Sequence, residues 1–224
     1  MAVDSLHVFQ TLSDLLHGYF IVYWCGMICI AVTGGIACGK SLAGFYLASV
    51  GWAVCEADQV AHALYVPGGP AYDQVRALAG EDAVRTDGTI DRQKLAQKVF
   101  AAPALLEALN ATLHPLVKQE LAKWLQACEQ QGFSGAATIV PLLFEAGMQS
   151  GWDAVVCIGC SAAVQRQRLA ARGLNASEID RRIAAQWPIE QKMAAADFAI
   201  WNDGSQQDLQ GALDDVVGRV SERK

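Results

Sequence analysis

The run Gly34-Gly35-Ile36-Ala37-Cys38-Gly39-Lys40-Ser41 has the spacing of the phosphate-binding loop, G-x-x-x-x-G-K-[ST], and the chemistry it offers is the handling of a nucleoside triphosphate. Glycines let the backbone turn tightly enough for successive N–H groups to face phosphate oxygens, and a helix starting at the loop's end adds its positive dipole. In such a loop Lys40 reaches the β- and γ-phosphates and Ser41 ligates Mg²⁺. The motif needs a strand before it and a helix after it. The apolar run Ile28 to Val32 and the helix-compatible stretch Leu42 to Val50 supply both.

Other side chains of the right type stand at strand ends. Asp58 closes a second apolar run, and a carboxylate there is placed to take a proton from an attacking hydroxyl; Asp is also a good helix N-cap, and both readings stand. Glu56 is two residues away, either a support for Mg²⁺ through water or a solvated loop charge. Arg168 and Arg172 lie four apart on one helical face and can point at one anion, whereas a basic stripe at a helix C-terminus is favourable to the dipole on its own. His62 and His114 are isolated and have no metal-ligand spacing. Cys157-Ile158-Gly159-Cys160 reads as the buried end of a strand rather than a redox or metal motif, because no second thiol or histidine pair accompanies it.

The elements that would position these groups form an α/β pattern. Strands are expected at Ile28–Val32, Trp52–Cys55, Ala137–Val140, Ala154–Ile158 and Asp197–Trp201, mostly continuous apolar runs of the kind covered on both faces in a parallel sheet. Ligands of such sheets bind beyond the carboxyl ends of the strands, where the loop, Asp58, Glu145 and Asn202 fall. Residues 60–132 read as a helical insertion, with helices from Asp91 to Phe100, Pro103 to Leu113 and Pro115 to Gln131, the last two separated at His114-Pro115. Ser161 caps a helix running to Arg172, Ser177-Glu178-Ile179-Asp180 resembles a capping box, Pro188 opens a further helix at its first position, and an amphipathic helix follows Gln206.

A chain of 224 residues suits one sizeable α/β domain with an insertion. At 53% hydrophobic, 18% charged and a formal net charge of -6, it is globular and unsuited to broad nucleic-acid binding. The seven scattered cysteines fit reduced thiols of a cytoplasmic protein. No charged residue occurs between Asp14 and Lys40, yet the leader lacks a basic n-region and its apolar run overlaps the loop's own strand, so neither a signal peptide nor a membrane span is expected. Residues 1–26 are expected to be a non-catalytic extension.

Taken together, these residues resemble the dephospho-CoA kinases. The likeness runs from Thr33-Gly34-Gly35-Ile36 and Gly39-Lys40-Ser41 through Glu56-Ala57-Asp58, Ala61-His62, Asp91-Arg92, Leu95, Val99-Phe100 and His114-Pro115. It continues in Pro141-Leu142-Leu143-Phe144-Glu145, Gln165, Arg168, Arg172, Gln186, Lys192, Ala196-Asp197 and Asn202. The resemblance implies ATP-dependent phosphorylation of the ribose 3′-hydroxyl of dephospho-coenzyme A, with Mg²⁺. It implies a P-loop kinase fold, a three-layer α/β/α sandwich on a five-stranded parallel sheet, with core 27–59, 133–160 and 193–224, acceptor-binding insertion 60–132 and lid 161–192. On that basis Asp58 is the base, Lys40, Arg168 and Arg172 are catalytic cations, and Gly34, Gly35, Ala37, Cys38, Gly39, Ser41, Leu42 and Asn202 join Lys40 in holding ATP. His62, Arg92, His114 and Glu145 bind the acceptor. The protein is expected to be a monomer or weak homo-oligomer in the cytoplasm, with no nucleic-acid or membrane partner.

Four positions depart from the family pattern. It has Gly-Ser where this chain has Ala37-Cys38, Thr where it has Leu42, and Asp where it has Glu56. Cys38 introduces a thiol whose oxidation would make the site redox-sensitive. The competing readings are another P-loop kinase acting on a nucleoside monophosphate or small alcohol, and a non-catalytic nucleotide-binding protein.

Overall fold

A computed structural model of the chain describes residues 26–223. The reading of residues 1–26 as an extension therefore falls, Gly26 aside, outside the described residues. β1 (Ile28–Gly34) is buried along almost its whole length, as expected of a central strand rich in β-branched residues. It is followed by α1 (Lys40–Ser49), β2 (Ala53–Glu56), α2 (Ala57–Leu64), α3 (Tyr72–Ala79), a 3-10 turn (Glu81–Ala83), α4 (Arg92–Ala101) and α5 (Pro103–Gln130). Then come β3 (Gly135–Ile139), β4 (Ala154–Gly159), α6 (Ala162–Ala171), α7 (Ala176–Ala184), α8 (Ile189–Ala195), β5 (Phe198–Trp201) and α9 (Gln206–Ser221).

The five strands form one parallel sheet in the order β2-β3-β1-β4-β5. Register is fixed by pairs such as Ile30 with Ala137 and with Ala154, and Glu56 with Ile139. The chain leaves β1 toward β2 on one side and returns later to place β4 on the other. The carboxyl end of β1 is thus the topological switch point, where an open sheet leaves a crevice for a ligand. α1 and α9 cover one face, packing Leu47, Leu209, Leu213 and Val216 on Ile30, Val32, Val156 and Ile158. The opposite face packs Ala31 and Val155 in a cluster that continues without a break into the helical segment, through Leu64, Val75, Leu95, Leu113 and Leu121.

Several local expectations give way to longer-range packing. The helix ends expected at Leu113 and Pro115 do not exist, since α5 runs unbroken with Pro115 inside it. An internal proline costs about 3 kcal/mol, but Leu109, Leu113, Val117, Leu121 and Leu125 repeat every fourth residue and are all buried, so one straight stripe of core contacts spans the proline. The capping box of α7 is Asn175 with Glu178, two residues ahead of the Ser177 expected, and Pro188 occupies the N-cap of α8 rather than its first turn. Ser161 caps α6 by accepting from the Val164 N–H, as its position predicts.

Candidate active site

Two glycines shape the loop after β1. Gly34 has φ 141°, and a Cβ there would collide with the carbonyl of Ile158 on β4, while one at Gly39, φ 111°, would meet the Asn202 side chain. Ala37 stands at φ 61°, where an L-residue pays on the order of 1 kcal/mol and glycine pays little. A glycine at this position would relieve that strain, which Ala37 carries. Below the loop, Asn202 is buried at the end of β5 and donates through Nδ2 to the Cys38 carbonyl at 2.8 Å. Gln165 Nε2 donates to the Ile36 carbonyl at 2.9 Å, and the Ile36 N–H donates to Gln186 Oε1 at 3.0 Å. Elements far apart in sequence therefore clamp the loop.

Lys40 opens α1 and curls back, its ammonium donating to the carbonyls of Gly34 at 2.9 Å and Gly35 at 2.8 Å. Burial pulls its pKa down to about 8, and the nearby Lys192 charge pulls the same way. These carbonyl contacts hold the cation where phosphate oxygens can replace them. Arg168 reaches over the same loop, Nη2 donating to the Asn202 carbonyl at 3.0 Å and Nη1 to that of Ala37 at 3.4 Å. Arg172 is exposed at the C-cap of α6, one turn further along the helix.

Asp58 lies in the first turn of α2, whose N-cap is Glu56, so capping does not occupy its carboxylate. The side chain faces solvent, yet the surrounding protein desolvates it enough to raise its pKa above the ordinary 3.8; His62 and Lys40 oppose that rise, and Glu56 adds to it. A carboxylate so placed is a better proton acceptor than a free aspartate. Glu56 itself accepts from Gln59 Nε2 at 2.9 Å.

A cleft of about 560 Å³ brings Lys40, Ser41, Leu42, Asp58, Arg168, Arg172 and Asn202 together, with Ala37 and Gly39 in its wall. A second, of about 530 Å³, shares Ser41 and is lined by Glu56, Gln59, Phe45, Val60 and Trp124. Gly34, Gly35 and Cys38 are buried in the loop and line neither cleft. Among the expected acceptor residues, His62 and Arg92 meet, with Arg92 Nη1 2.7 Å from His62 Nδ1. Burial and this guanidinium lower the His62 pKa, so its Nδ1 accepts while Arg92 donates. His114 is half-buried in the middle of α5 and lines neither cleft.

Glu145 is held by contacts within the protein and lines neither cleft. Its Oε1 pairs with Lys192 Nζ at 2.7 Å and accepts the Trp187 N–H at 2.9 Å, while its Oε2 is buried without a partner. Lys192 is fully buried and also donates to the Pro141 carbonyl at 3.0 Å. Among the described residues it is the one charged side chain sealed from solvent. The sequence reading gave it no role, because a lysine on a short polar helix carries no sign that it turns inward. The pair ties the last turn of α8 to the turn after β3, and the ring of Trp187 stacks on Phe144 at 5.8 Å.

A family model described as dephospho-CoA kinase matches residues 28–208. The chain is 36% identical over 195 residues to the dephospho-CoA kinase of Bdellovibrio bacteriovorus, covering 87% of this chain and 97% of that one. With the Anaeromyxobacter dehalogenans dephospho-CoA kinase the identity is 39% over 189 residues, covering 84% and 90%. Among solved structures, a Thermus thermophilus protein superposes with TM-score 0.75 at 31% identity, covering 86% of this chain and 97% of that one. The dephospho-CoA kinase from Campylobacter jejuni shares the fold at TM-score 0.62 and 24% identity, covering 87% and 97%.

Proposed function

The chain belongs to the dephospho-CoA kinase family, enzymes of the last step of coenzyme A synthesis, and on that footing we propose that it transfers the γ-phosphoryl group of ATP to the ribose 3′-hydroxyl of dephospho-CoA. The observation that carries the reading is the opposition, across one cleft, of a desolvated carboxylate and three cations: Asp58 facing Lys40, Arg168 and Arg172.

Phosphoryl transfer leaves little covalent chemistry to the protein; positioning and charge do most of the work. Loop N–H groups and Lys40 hold the β- and γ-phosphates, Lys40 exchanging its carbonyl partners for phosphate oxygens. Asp58 orients the acceptor hydroxyl and takes its proton as the oxygen attacks. Arg168 and Arg172 meet the charge that spreads over the transferred group, their planar forks suiting its oxygens. Asn202 borders the adenine pocket, and His62 and Arg92, paired close to Asp58, serve the acceptor side; His114 and Glu145 are assigned there on the family likeness alone. The chemistry takes place within residues 27–224, in the partition of core, acceptor-binding insertion and lid given above, and residues 1–26 add none. The enzyme works in the cytoplasm as a monomer or weak homo-oligomer.

The oxygen donors at this edge suit Mg²⁺, a hard cation that keeps several waters: the Ser41 hydroxyl would hold it with the phosphates, and Glu56 or Asp58 would reach it through water. When bound, it neutralises charge between the β- and γ-phosphates.

The test is Asp58→Asn, nearly the same shape but unable to take a proton. Single-turnover rate should fall by roughly 10²–10⁴ with ATP affinity within a few fold. Because the Asp58 pKa is raised, the acid limb of kcat/KM in the wild type should lie above the ordinary carboxylate value and vanish in the variant. A stably folded Asp58→Asn protein with near-normal turnover contradicts the assignment.

A further inference from the structure

Beneath the loop two thiols face each other. Cys38 Sγ and Cys160 Sγ lie 3.1 Å apart, both free, at 0% and 1% exposure. The side chain of Cys38 turns away from the cleft into the cluster formed by Leu47, Ile158 and Leu209, and Cys160 enters the same cluster directly after β4. The C-x-x-C partner of Cys160 is not involved, since Cys157 lies within β4 and outside that cluster. A disulfide needs its sulfurs about 2.05 Å apart, so roughly 1 Å of approach separates the contact from a bond.

We propose that Cys38 and Cys160 are an oxidation site, forming a reversible disulfide with a hydroperoxide-class oxidant that fastens the phosphate-binding loop to the end of β4 and slows phosphoryl transfer. The cross-link stands on the thiol geometry alone; only its effect on turnover rests on the function proposed above.

The two sulfurs have different parts. Cys38 belongs to the loop itself, immediately before the N-cap of α1, and is taken as the sulfur oxidised first. Burial, followed by the contact with Cys38, pushes the Cys160 thiol up to about 12, so it enters second. The Cys38 thiolate attacks one peroxide oxygen: an S–O bond forms, the O–O bond breaks, and the departing hydroxide becomes water with the proton Cys38 released. Cys160 then attacks Sγ of Cys38. The S–S bond forms as the S–O bond breaks, and the leaving hydroxide takes the Cys160 proton. Two thiols and one hydrogen peroxide give one disulfide and two waters, each sulfur losing one electron and each oxygen gaining one.

The bond would act on the cradle from below. The Cys38 carbonyl is the one Asn202 holds, and the next two residues are Gly39 and Lys40. Drawing Cys38 toward β4 by up to about 1 Å shifts the N–H groups that face the phosphates, and displacements of that size cost on the order of 10²-fold in rate.

The experiment oxidises the full-length protein with hydrogen peroxide, alkylates the remaining thiols under denaturing conditions and maps the unreduced peptides by mass. The expected result is a peptide pair joining Cys38 to Cys160, lighter by two hydrogens, with turnover lowered at least about 10-fold and restored by dithiothreitol. Cys160→Ala should keep the starting turnover, give no cross-link and stop at one added oxygen on Cys38. Cys38 and Cys160 both alkylated after oxidation, or joined to other cysteines, overturns the site; a cross-link that leaves turnover unchanged overturns the inhibition. If Cys160→Ala does not fold, the wild-type peptide map still decides.

Discussion

Lys40 sets stability against function, and the size of the conflict follows from its surroundings. The ammonium is largely buried in the loop, and its pKa falls from 10.5 to about 8. A group with a lower pKa in the folded state holds fewer protons folded than unfolded between those two values, so stability rises with pH across that window. At ~1.4 kcal/mol per pH unit, the fall from 10.5 to about 8 amounts to a penalty of roughly 3 kcal/mol at pH 7, an upper value because some solvent reaches the amine. Of this, roughly 2.5 kcal/mol is recovered by pH 10. The perturbation is Lys40→Met, which keeps the length and removes the charge. Urea unfolding of both proteins without nucleotide, at intervals from pH 7 to pH 10, isolates the lysine's ionisation as the difference between them. That difference should move in favour of the wild type by roughly 2.5 kcal/mol as pH rises, and saturating ATP should flatten the trend, since polyphosphate holds the proton on. ATP affinity of the wild type should weaken as pH climbs through about 8. A stability difference independent of pH between 7 and 10 refutes the reasoning, because Lys40 would then titrate as a solvated amine.

Lys192→Met should destabilise by about 3–5 kcal/mol in urea unfolding, because it leaves the Glu145 carboxylate largely buried and unpaired; adding Glu145→Gln should recover part of that loss, and strict additivity of the two changes would contradict a coupled pair. Gly34→Ala sets a side chain against the Ile158 carbonyl at a left-handed φ and should lower stability by about 3 kcal/mol or more, with circular-dichroism melts as the check; a melt within a degree of wild type would mean the loop shifts freely. Arg168→Ala should weaken ATP binding and loosen the loop, seen as faster amide exchange at Ala37 and Asn202, because its guanidinium bridges their carbonyls; unchanged exchange would limit the residue to the chemical step.

What could be read from the sequence was what short-range pattern controls. The loop Gly34 to Ser41 is a local motif between a strand and a helix, and its chemistry follows from spacing alone. Asp58 and Asn202 were legible because parallel strands deliver their carboxyl ends to one edge. The break expected at His114-Pro115 failed because that local rule ignores the every-fourth-residue leucine stripe, visible in the same sequence, whose packing outweighs one lost hydrogen bond. The inward turn of Lys192 onto Glu145 and the meeting of Cys38 with Cys160, 122 residues apart, depend on which strands become neighbours and how far each loop reaches. Asp58's freedom from capping was likewise out of reach, since it depended on a helix start two residues earlier, at Glu56.

The acceptor is decided by incubating the protein with ATP, Mg²⁺ and an equimolar panel of dephospho-CoA, AMP, CMP and shikimate, and following the products by mass and phosphorus NMR. Dephospho-CoA alone should gain one phosphate at a rate useful for turnover, the new group should be on the ribose 3′-oxygen, and the transfer should slow by roughly 10²–10⁴ in Asp58→Asn. Faster phosphorylation of AMP or CMP, or a phosphate on any other oxygen of dephospho-CoA, would contradict this acceptor assignment.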